Sequence, residues 1–152
     1  METKVLMVCL GNICRSPLAE GILKSKLGGT TIQVDSAGTA GYHIGKKPDN
    51  RSISIAKKYG IDISQQQCRQ FTAKDFEKFD LIYGMDNSNY QNIVALATNK
   101  DDIAKVNLLL HRLNLDNKEV PDPYYGSEDG FEQIFHLIDS ACNLIVQDII
   151  HK

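Results

Sequence analysis

The hydrophobic and polar positions of the chain fall into short apolar runs separated by stretches with helical signals. Continuous apolar runs bounded by polar or glycine-containing segments are typical of strands buried in a parallel sheet. They predict four strands, at residues 5–8, 32–37, 80–85 and 105–110. The stretches between them, marked by capping residues or terminating glycines, predict helices at residues 17–27, 51–59, 72–79 and 87–97.

The final segment has the clearest helical pattern. Its apolar residues recur with a period of about 3.6, which predicts an amphipathic helix packed on the core. The residues of this stripe are Phe131, Ile134, Phe135, Ile138, Ala141, Cys142, Ile145 and Ile149. Strands that alternate with helices predict an α/β fold in three layers, with one four-stranded parallel sheet and helices on both faces. No repeat or linker interrupts the pattern, so we expect a single domain over residues 1–152.

Composition narrows the classes of function. The 152 residues carry 17 lysines and arginines against 19 aspartates and glutamates, a net charge of −2. We therefore expect neither nucleic acid nor an anionic membrane as partner, because both call for a basic face. The longest apolar runs are far shorter than the ~20 residues of a spanning helix, and the first residues lack the pattern of a secretory signal. These features predict a cytoplasmic protein with reduced thiols.

The loop after the first predicted strand is suited to binding a tetrahedral anion. Residues 9–16 have the sequence Cys-Leu-Gly-Asn-Ile-Cys-Arg-Ser. A turn of this length between strand and helix directs successive backbone N–H groups into one hollow, and Gly11 and Asn12 tolerate the left-handed conformation that such a turn requires. The N-terminus of the following helix adds partial positive charge. Arg15 adds a planar fork that matches two anion oxygens.

Cys9 would lie at the floor of this hollow. Donors that bind an anion also favour the thiolate form of a cysteine, and a thiolate beneath a bound phosphate is placed for in-line attack on phosphorus. Two other interpretations stay open, a buried structural cysteine beside an arginine helix cap and a zinc site on Cys9 and Cys14. The zinc site lacks a second pair of ligands, because Cys68 and Cys142 are isolated in the sequence.

Four short motifs are spread over nearly the whole chain. They are the loop at 9–17, Asp-Ser-Ala-Gly at 35–38, Met-Asp-Asn-Ser-Asn at 85–89 and Asp-Pro-Tyr-Tyr-Gly at 122–126. In order and spacing they resemble the phosphate loop, the second-strand motif, the third-strand end and the general-acid loop of the low-molecular-weight protein tyrosine phosphatases. The resemblance implies hydrolysis of phosphotyrosine in proteins, and of small aryl phosphates, with no metal and no organic cofactor.

The resemblance implies three catalytic roles. Cys9 would be the nucleophile that forms a phosphocysteine, and Arg15 would bind the phosphoryl oxygens and stabilise the transition state. Asp122 would protonate the leaving phenolate oxygen and then deprotonate the attacking water, since a tyrosine leaving group has a pKa of ~10. An aspartate before a proline is also a common turn residue, which is the alternative for Asp122.

The residues that would contact substrate or phosphate also follow from the resemblance. They are Leu10, Gly11, Asn12, Ile13, Cys14, Ser16, Tyr42, Tyr124 and Tyr125. Tyr124 and Tyr125 would line one side of a deep slot for a phenyl ring, and Tyr42, with Leu10 and Ile13, the other sides. The depth of this slot would favour phosphotyrosine over the shorter phosphoserine.

Other residues would support the loop. Ser16 would donate its hydroxyl to the nucleophilic sulfur, act as N-cap of a helix whose first residue is Pro17, or do both. Asn12 and Ser36 would hydrogen-bond each other and hold the strained loop, and Asp86 would cap its own helix.

Three further positions bear on the prediction. Cys14 is either a small packed cysteine or a redox partner that captures oxidised Cys9 as a disulfide. Many family members carry histidine where this chain has Gln66, and that histidine supports the phosphate loop. Many also carry tryptophan where this chain has Tyr42, which bears on substrate preference.

Three rival functions fit the sequence less well. A thioredoxin-coupled arsenate reductase needs two more cysteines close together, and Cys68 and Cys142 are far apart. A phosphocysteine carrier lacks counterparts of Arg15 and Asp122, and a phosphotyrosine reader without activity would be expected to lose Cys9 or Asp122. We therefore predict a protein tyrosine phosphatase that is a monomer or weak dimer. Its partner would be a phosphotyrosine-containing protein, a tyrosine kinase being one candidate.

Overall fold

A parallel sheet of four strands, in the order β2-β1-β3-β4, forms the centre of the molecule. A computed structural model describes residues 3–123 and 128–150, so Tyr124 and Tyr125 lie outside the described residues. The strands are β1 (Lys4–Cys9), β2 (Gln33–Gly38), β3 (Leu81–Gly84) and β4 (Val106–Leu108). All four predicted strands are present, with ends that differ from the predicted ones by one or two residues.

Helices cover both faces of the sheet, which confirms the predicted three-layer α/β fold. They are α1 (Arg15–Lys26), α2 (Asn50–Lys58), α3 (Asp75–Lys78), α4 (Asn87–Val94), α5 (Lys100–Ala104) and α6 (Glu128–Ile150). The sequence pattern did not indicate α5. None of its residues is buried, so it has no apolar stripe by which a helix could be predicted.

The alternation of side chains along β1 divides the core into two clusters. Val5 and Met7 point into a cluster formed mainly with α1, α2 and α6, which includes Phe131. Leu6 and Val8 point into the opposite cluster, formed with α3, α4 and β4. Because β1 is buried on both faces, its carboxyl end is held firmly at the edge of the sheet where the phosphate loop begins.

The prediction for the start of α1 was wrong. The helix begins at Arg15, not at Pro17, and its N-cap residue is Cys14, whose side chain makes no capping hydrogen bond. Ser16 is fully buried, and its hydroxyl is engaged by the side chains of Cys9 and Asn12 instead. Of the two roles predicted for the Ser16 hydroxyl, the contact with the Cys9 sulfur is present and the N-cap is not.

The start of α4 is as predicted. Asp86 accepts a hydrogen bond from the Asn89 amide, and the Asn89 side chain accepts one from the Asp86 amide, forming a capping box. This box fixes the chain immediately after β3, at the edge of the sheet to which the phosphate loop also belongs. Among the described helices, none is long and apolar enough to cross a membrane.

Candidate active site

The phosphate loop lies directly on the carboxyl end of β2. A Cβ atom on Gly38 would approach the Leu10 carbonyl oxygen to 2.7 Å and the Asn12 nitrogen to 3.0 Å, so only glycine fits there. Two backbone hydrogen bonds, from Thr39 to the Cys9 carbonyl and from Ala40 to the Leu10 carbonyl, fasten the loop at 2.9 Å each. The loop therefore has little room to change shape.

Asn12 holds the inside of the loop. It is the one described residue other than glycine with a positive φ, at 57°, and its side chain is buried. Its amide nitrogen donates to the hydroxyl oxygens of Ser16 at 2.8 Å and Ser36 at 3.0 Å. The Asn12–Ser36 hydrogen bond expected from the sequence is therefore formed, and Ser16 in turn lies 3.0 Å from the Cys9 sulfur.

A distant segment holds Asn12 from the opposite side. The Arg69 amide donates to Asn12 Oδ1 at 3.0 Å, and the Cys68 thiol donates to the Asn12 carbonyl oxygen at 2.8 Å. The Arg69 guanidinium is fixed by Asp35 and Asp75, both at 3.1 Å. Cys68 had no predicted role, because a contact across 56 positions leaves no local pattern in the sequence.

Gln66 does not take part in this support. Its side-chain nitrogen donates to the Pro17 carbonyl oxygen at 3.0 Å, inside the first turn of α1. The backbone of Arg69 and the thiol of Cys68 make the contacts to the phosphate loop instead.

Arg15 is buried and oriented by carboxylates. Its guanidinium donates to Asp86 Oδ2 at 2.7 Å and to the Val120 carbonyl oxygen at 2.9 Å. Burial by itself would lower the pKa of Arg15, but the charge of Cys9 and the hydrogen bond to Asp86 outweigh burial and raise it. Arg15 is therefore a fixed cation at the mouth of the loop, and Asp86 serves both as helix cap and as its partner.

Asp122 is the most exposed member of the predicted catalytic set. Its Oδ2 lies 3.6 Å from an Arg15 nitrogen, and 43% of its side chain is exposed. The carboxylate therefore stands at the rim of the loop, within reach of both solvent and a group bound against Arg15.

A cavity of about 280 Å³ opens above the loop. Its walls are formed by Cys9, Leu10, Gly11, Ile13, Cys14, Arg15, Tyr42, His43 and Asp122. Eight of these nine residues belong to the predicted site. Of the remaining predicted residues that the structure describes, Asn12, Ser16 and Ser36 have their side chains behind this wall, and Asp86 reaches it through Arg15.

The outer wall of the cavity contains one residue that the sequence analysis missed. His43 packs beside Gly11, where an added Cβ would lie 3.1 Å from its ring. Its ring meets that of Tyr42 edge-on, with 6.4 Å between centroids, and Tyr42 itself is 71% exposed. The only available signal for His43 was its position next to Tyr42 in the chain.

Cys14 lines the same cavity as Cys9 but in a different environment. Burial, followed by the charges of Asp49 and Cys9, raises the pKa of the Cys14 thiol to about 12. Its carbonyl oxygen accepts a hydrogen bond from the Ser52 hydroxyl at 3.1 Å, which ties it to α2. Cys14 is therefore a neutral thiol near neutral pH.

In the part of the chain that the structure describes, no group of three or more His, Cys, Asp or Glu side chains could hold a metal ion.

The fold and the cavity together define a class of protein, an α/β domain with a cysteine and an arginine in an anion-binding loop after its first strand. Residues 4–152 match the family model described as low molecular weight phosphotyrosine protein phosphatase. The chain belongs to this family, which confirms the resemblance predicted from its motifs. The expected enzyme class, a protein-tyrosine-phosphatase, is confirmed with it.

Relatives and solved structures agree with this assignment. The human low molecular weight phosphotyrosine protein phosphatase is 38% identical over 148 residues, covering 94% of this chain and 93% of the human one. A crystal structure of a protein tyrosine phosphatase from Entamoeba histolytica is similar with a TM-score of 0.89 and 36% identity, covering 96% of each chain. Wzb of Vibrio vulnificus, solved with benzylphosphonate, has a TM-score of 0.88 and 31% identity, covering 97% of this chain and 99% of its own.

Proposed function

We propose that the protein hydrolyses phosphotyrosine in proteins, and small aryl phosphates, through a phosphocysteine on Cys9. The observation that carries this proposal is the convergence of Cys9, Arg15 and Asp122 on one narrow cavity. A nucleophile, a fixed cation and a carboxylate are the three groups that metal-free transfer of a phosphoryl group requires.

In the first step, the Cys9 sulfur attacks phosphorus. The S–P bond forms while the bond from phosphorus to the tyrosine oxygen breaks, and Asp122 gives its proton to that leaving oxygen. Arg15 binds the equatorial oxygens, where charge develops, and it is already oriented by Asp86. The exposed position of Asp122 supports this role, because the leaving group points out of the cavity.

In the second step, water attacks the phosphocysteine. The Asp122 carboxylate takes a proton from the water, the S–P bond breaks, and inorganic phosphate leaves. The Ser16 hydroxyl, 3.0 Å from the sulfur, stabilises the departing Cys9 thiolate. General acid and base help of this kind contributes roughly 10²–10⁴-fold to the rate.

The preference for an aryl group follows from the outer wall. Tyr42 and His43 extend one wall of the cavity away from Cys9, so a phosphotyrosine ring would pack against this wall while phosphoserine would not reach its level. The complex of the Vibrio vulnificus relative with benzylphosphonate, a phosphonate that carries a phenyl ring, supports an aryl substrate. We propose Tyr124 and Tyr125 for the opposite side.

The setting of the reaction is part of the same proposal. A monomer or weak dimer, forming a single domain over residues 1–152, would act in the cytoplasm on a phosphotyrosine-containing protein. A tyrosine kinase is one candidate for this substrate.

Cys14 would protect the nucleophile from over-oxidation. A peroxide oxidises Cys9 to a sulfenic acid, and the Cys14 thiol then displaces water from it to form a disulfide. The position of Cys14 in the wall beside Cys9 supports this role. Thiol reductants would restore both cysteines.

The test is release of p-nitrophenol from p-nitrophenyl phosphate by the reduced protein in EDTA, between pH ~5 and ~7. We expect turnover that vanadate and inorganic phosphate inhibit competitively, because both anions fit the loop. The Cys9→Ser variant should fold normally and lose turnover. Turnover in that variant would refute the assignment of Cys9 as the nucleophile.

A folded but inactive wild-type protein would favour an arsenate reductase or phosphocysteine carrier, and activity lost with EDTA would favour a metal mechanism.

A further inference from the structure

The polar groups behind the phosphate loop form a buried chain of hydrogen bonds that ends on Glu20. This residue lies in α1, and its side chain is only 6% exposed. Its Oε1 accepts a hydrogen bond from the Ser36 hydroxyl at 2.7 Å, and its Oε2 accepts one from Lys24 at 2.6 Å. A buried carboxylate is costly unless its oxygens are hydrogen-bonded, and none of the catalytic roles above accounts for one at this position.

The direction of this chain of hydrogen bonds follows from the backbone amide of Arg69, which can only donate. The Arg69 amide donates to Asn12 Oδ1, so Asn12 Nδ2 must face the hydroxyls of Ser16 and Ser36. An amide nitrogen cannot accept a hydrogen bond, so both hydroxyl oxygens accept from it. Each serine must therefore direct its single proton elsewhere.

The two serine protons point in opposite directions. That of Ser36 goes to the Glu20 carboxylate. That of Ser16 has two acceptors within reach, the Cys9 sulfur at 3.0 Å and the Ala37 carbonyl oxygen at 3.4 Å. In the thiolate form that the proposed function requires, the sulfur is the nearer and the charged acceptor, so the Ser16 proton goes to the sulfur.

We propose that Glu20 is a positioning residue for the Cys9 thiolate, acting through Ser36, Asn12 and Ser16. By accepting the Ser36 proton, it leaves the Ser36 oxygen free to accept from Asn12, and it thereby acts together with the Arg69 amide to keep the Asn12 side chain turned so that Ser16 donates to sulfur. Without an acceptor at position 20, the Ser36 proton would be buried and unpaired, which destabilises this arrangement against others. The inference rests on the proposed function, since it treats Cys9 as the nucleophile.

Two neutral substitutions separate the acceptor from the charge. Glu20→Gln and Glu20→Met both remove the negative charge and have similar volumes, but only glutamine keeps an oxygen that can accept from Ser36. We expect Glu20→Gln to keep kcat/KM within about threefold of wild type. We expect Glu20→Met to lose about tenfold, the lower end of what removing an outer-shell partner costs in other sites.

A second readout reports on the sulfur itself. Alkylation by iodoacetate forms a bond from the thiolate sulfur to carbon with loss of iodide, and peptide masses assign the modified residue. In Glu20→Met, the pH midpoint of Cys9 alkylation should move upward by about one unit, which corresponds to a tenfold smaller thiolate fraction below the midpoint. In Glu20→Gln it should stay near that of wild type. A residue that only stabilises the fold would leave this midpoint unchanged.

Coupling to Ser36 completes the test. Because Glu20 acts through Ser36, adding Glu20→Met to Ser36→Ala should cause no further loss of kcat/KM and no further shift of the midpoint. Thermal unfolding checks that each variant is folded, and Glu20→Ala replaces Glu20→Met if methionine prevents folding. Equal effects of methionine and glutamine, a methionine variant like wild type, or additive effects with Ser36→Ala would each overturn the inference. An inactive wild-type protein would instead overturn the proposed function.

Discussion

At the scale of single residues, the three proposed catalytic groups differ in exposure. Asp122 is the most exposed, and Cys9 and Arg15 are buried. Cys9 and Arg15 are held by α1, β1 and the loop between them, while Asp122 meets them from a segment more than 100 positions away. Its role is therefore the one that a substitution can test with least disturbance of the loop.

We expect Asp122→Asn to lower kcat for phenyl phosphate by roughly 10²–10⁴-fold, because asparagine cannot supply the proton that the phenolate requires. The loss should be smaller for p-nitrophenyl phosphate, whose leaving group is more acidic. Steady-state rates with both substrates measure this difference. Asp116→Asn, at another exposed carboxylate of the same segment, serves as control and should leave both rates unchanged. Equal losses on the two substrates would contradict a role as general acid.

Residues of the site were predictable from the sequence where their chemistry is local. Cys9, Gly11 and Arg15 lie in one short loop, so their spacing alone indicated an anion site. His43 and Cys68 were missed, because their contacts with the loop depend on the path of segments that are distant in the sequence.

At the scale of elements, the N-terminus of α4 both caps its own helix and orients Arg15. The Asp86 carboxylate accepts from the Asn89 amide through one oxygen and from Arg15 through the other. The capping of a helix and the orientation of the Arg15 guanidinium therefore share one side chain.

Two substitutions should separate these tasks. Asp86→Asn keeps an oxygen for the cap but turns an NH2 group toward the Arg15 guanidinium, so we expect kcat/KM to fall about tenfold or more, with a loss of stability from the unpaired guanidinium rather than from the cap. Asn89→Ala removes the reciprocal half of the capping box, so we expect the free energy of unfolding to fall by about 1–2 kcal/mol while kcat/KM changes less. Urea unfolding and steady-state kinetics measure both quantities. The reverse pattern would mean that Asp86 serves the helix alone.

Elements were predictable wherever burial imposes a pattern. The four strands and α6 have continuous or periodic apolar positions, and all are present. The predicted start of α1 failed for a tertiary reason, since Ser16 is recruited by Cys9 and Asn12.

At the scale of the whole molecule, several buried thiols and one buried phenol should together lower the stability of the fold at alkaline pH. Burial is the largest cause that raises the pKa of Cys14 and Cys142 to about 12, of Cys68 to about 11 and of Tyr83 to about 12. Each group keeps its proton in the folded state at pH values where the unfolded chain has already lost it, the ordinary value for the thiols being 9.0.

Stability should therefore be full below pH ~9 and decrease as the pH rises from there toward 11–12, because the unfolded state binds fewer protons than the native state. Urea unfolding in a reducing buffer at a series of pH values measures this loss. Cys142→Ala removes one titrating thiol from the core, so its stability should fall less steeply with pH, although it starts lower because of the lost packing. A free energy of unfolding that stays constant above pH 9 would contradict this assignment.

The close packing of the phosphate loop against Gly38 determines where substitutions can be accepted in such an enzyme. Behind the cavity, the backbone of the loop packs directly against the backbone at Gly38, so no side chain can be added there. The rim, by contrast, is built from exposed side chains such as Tyr42, which carry little of the fold. On the proposed mechanism, substitutions at exposed rim positions such as Tyr42 would change which phosphoprotein binds while Cys9 and Arg15 stay in place. Asp122 is the one proposed catalytic group that shares this rim, so it limits how far the rim can change.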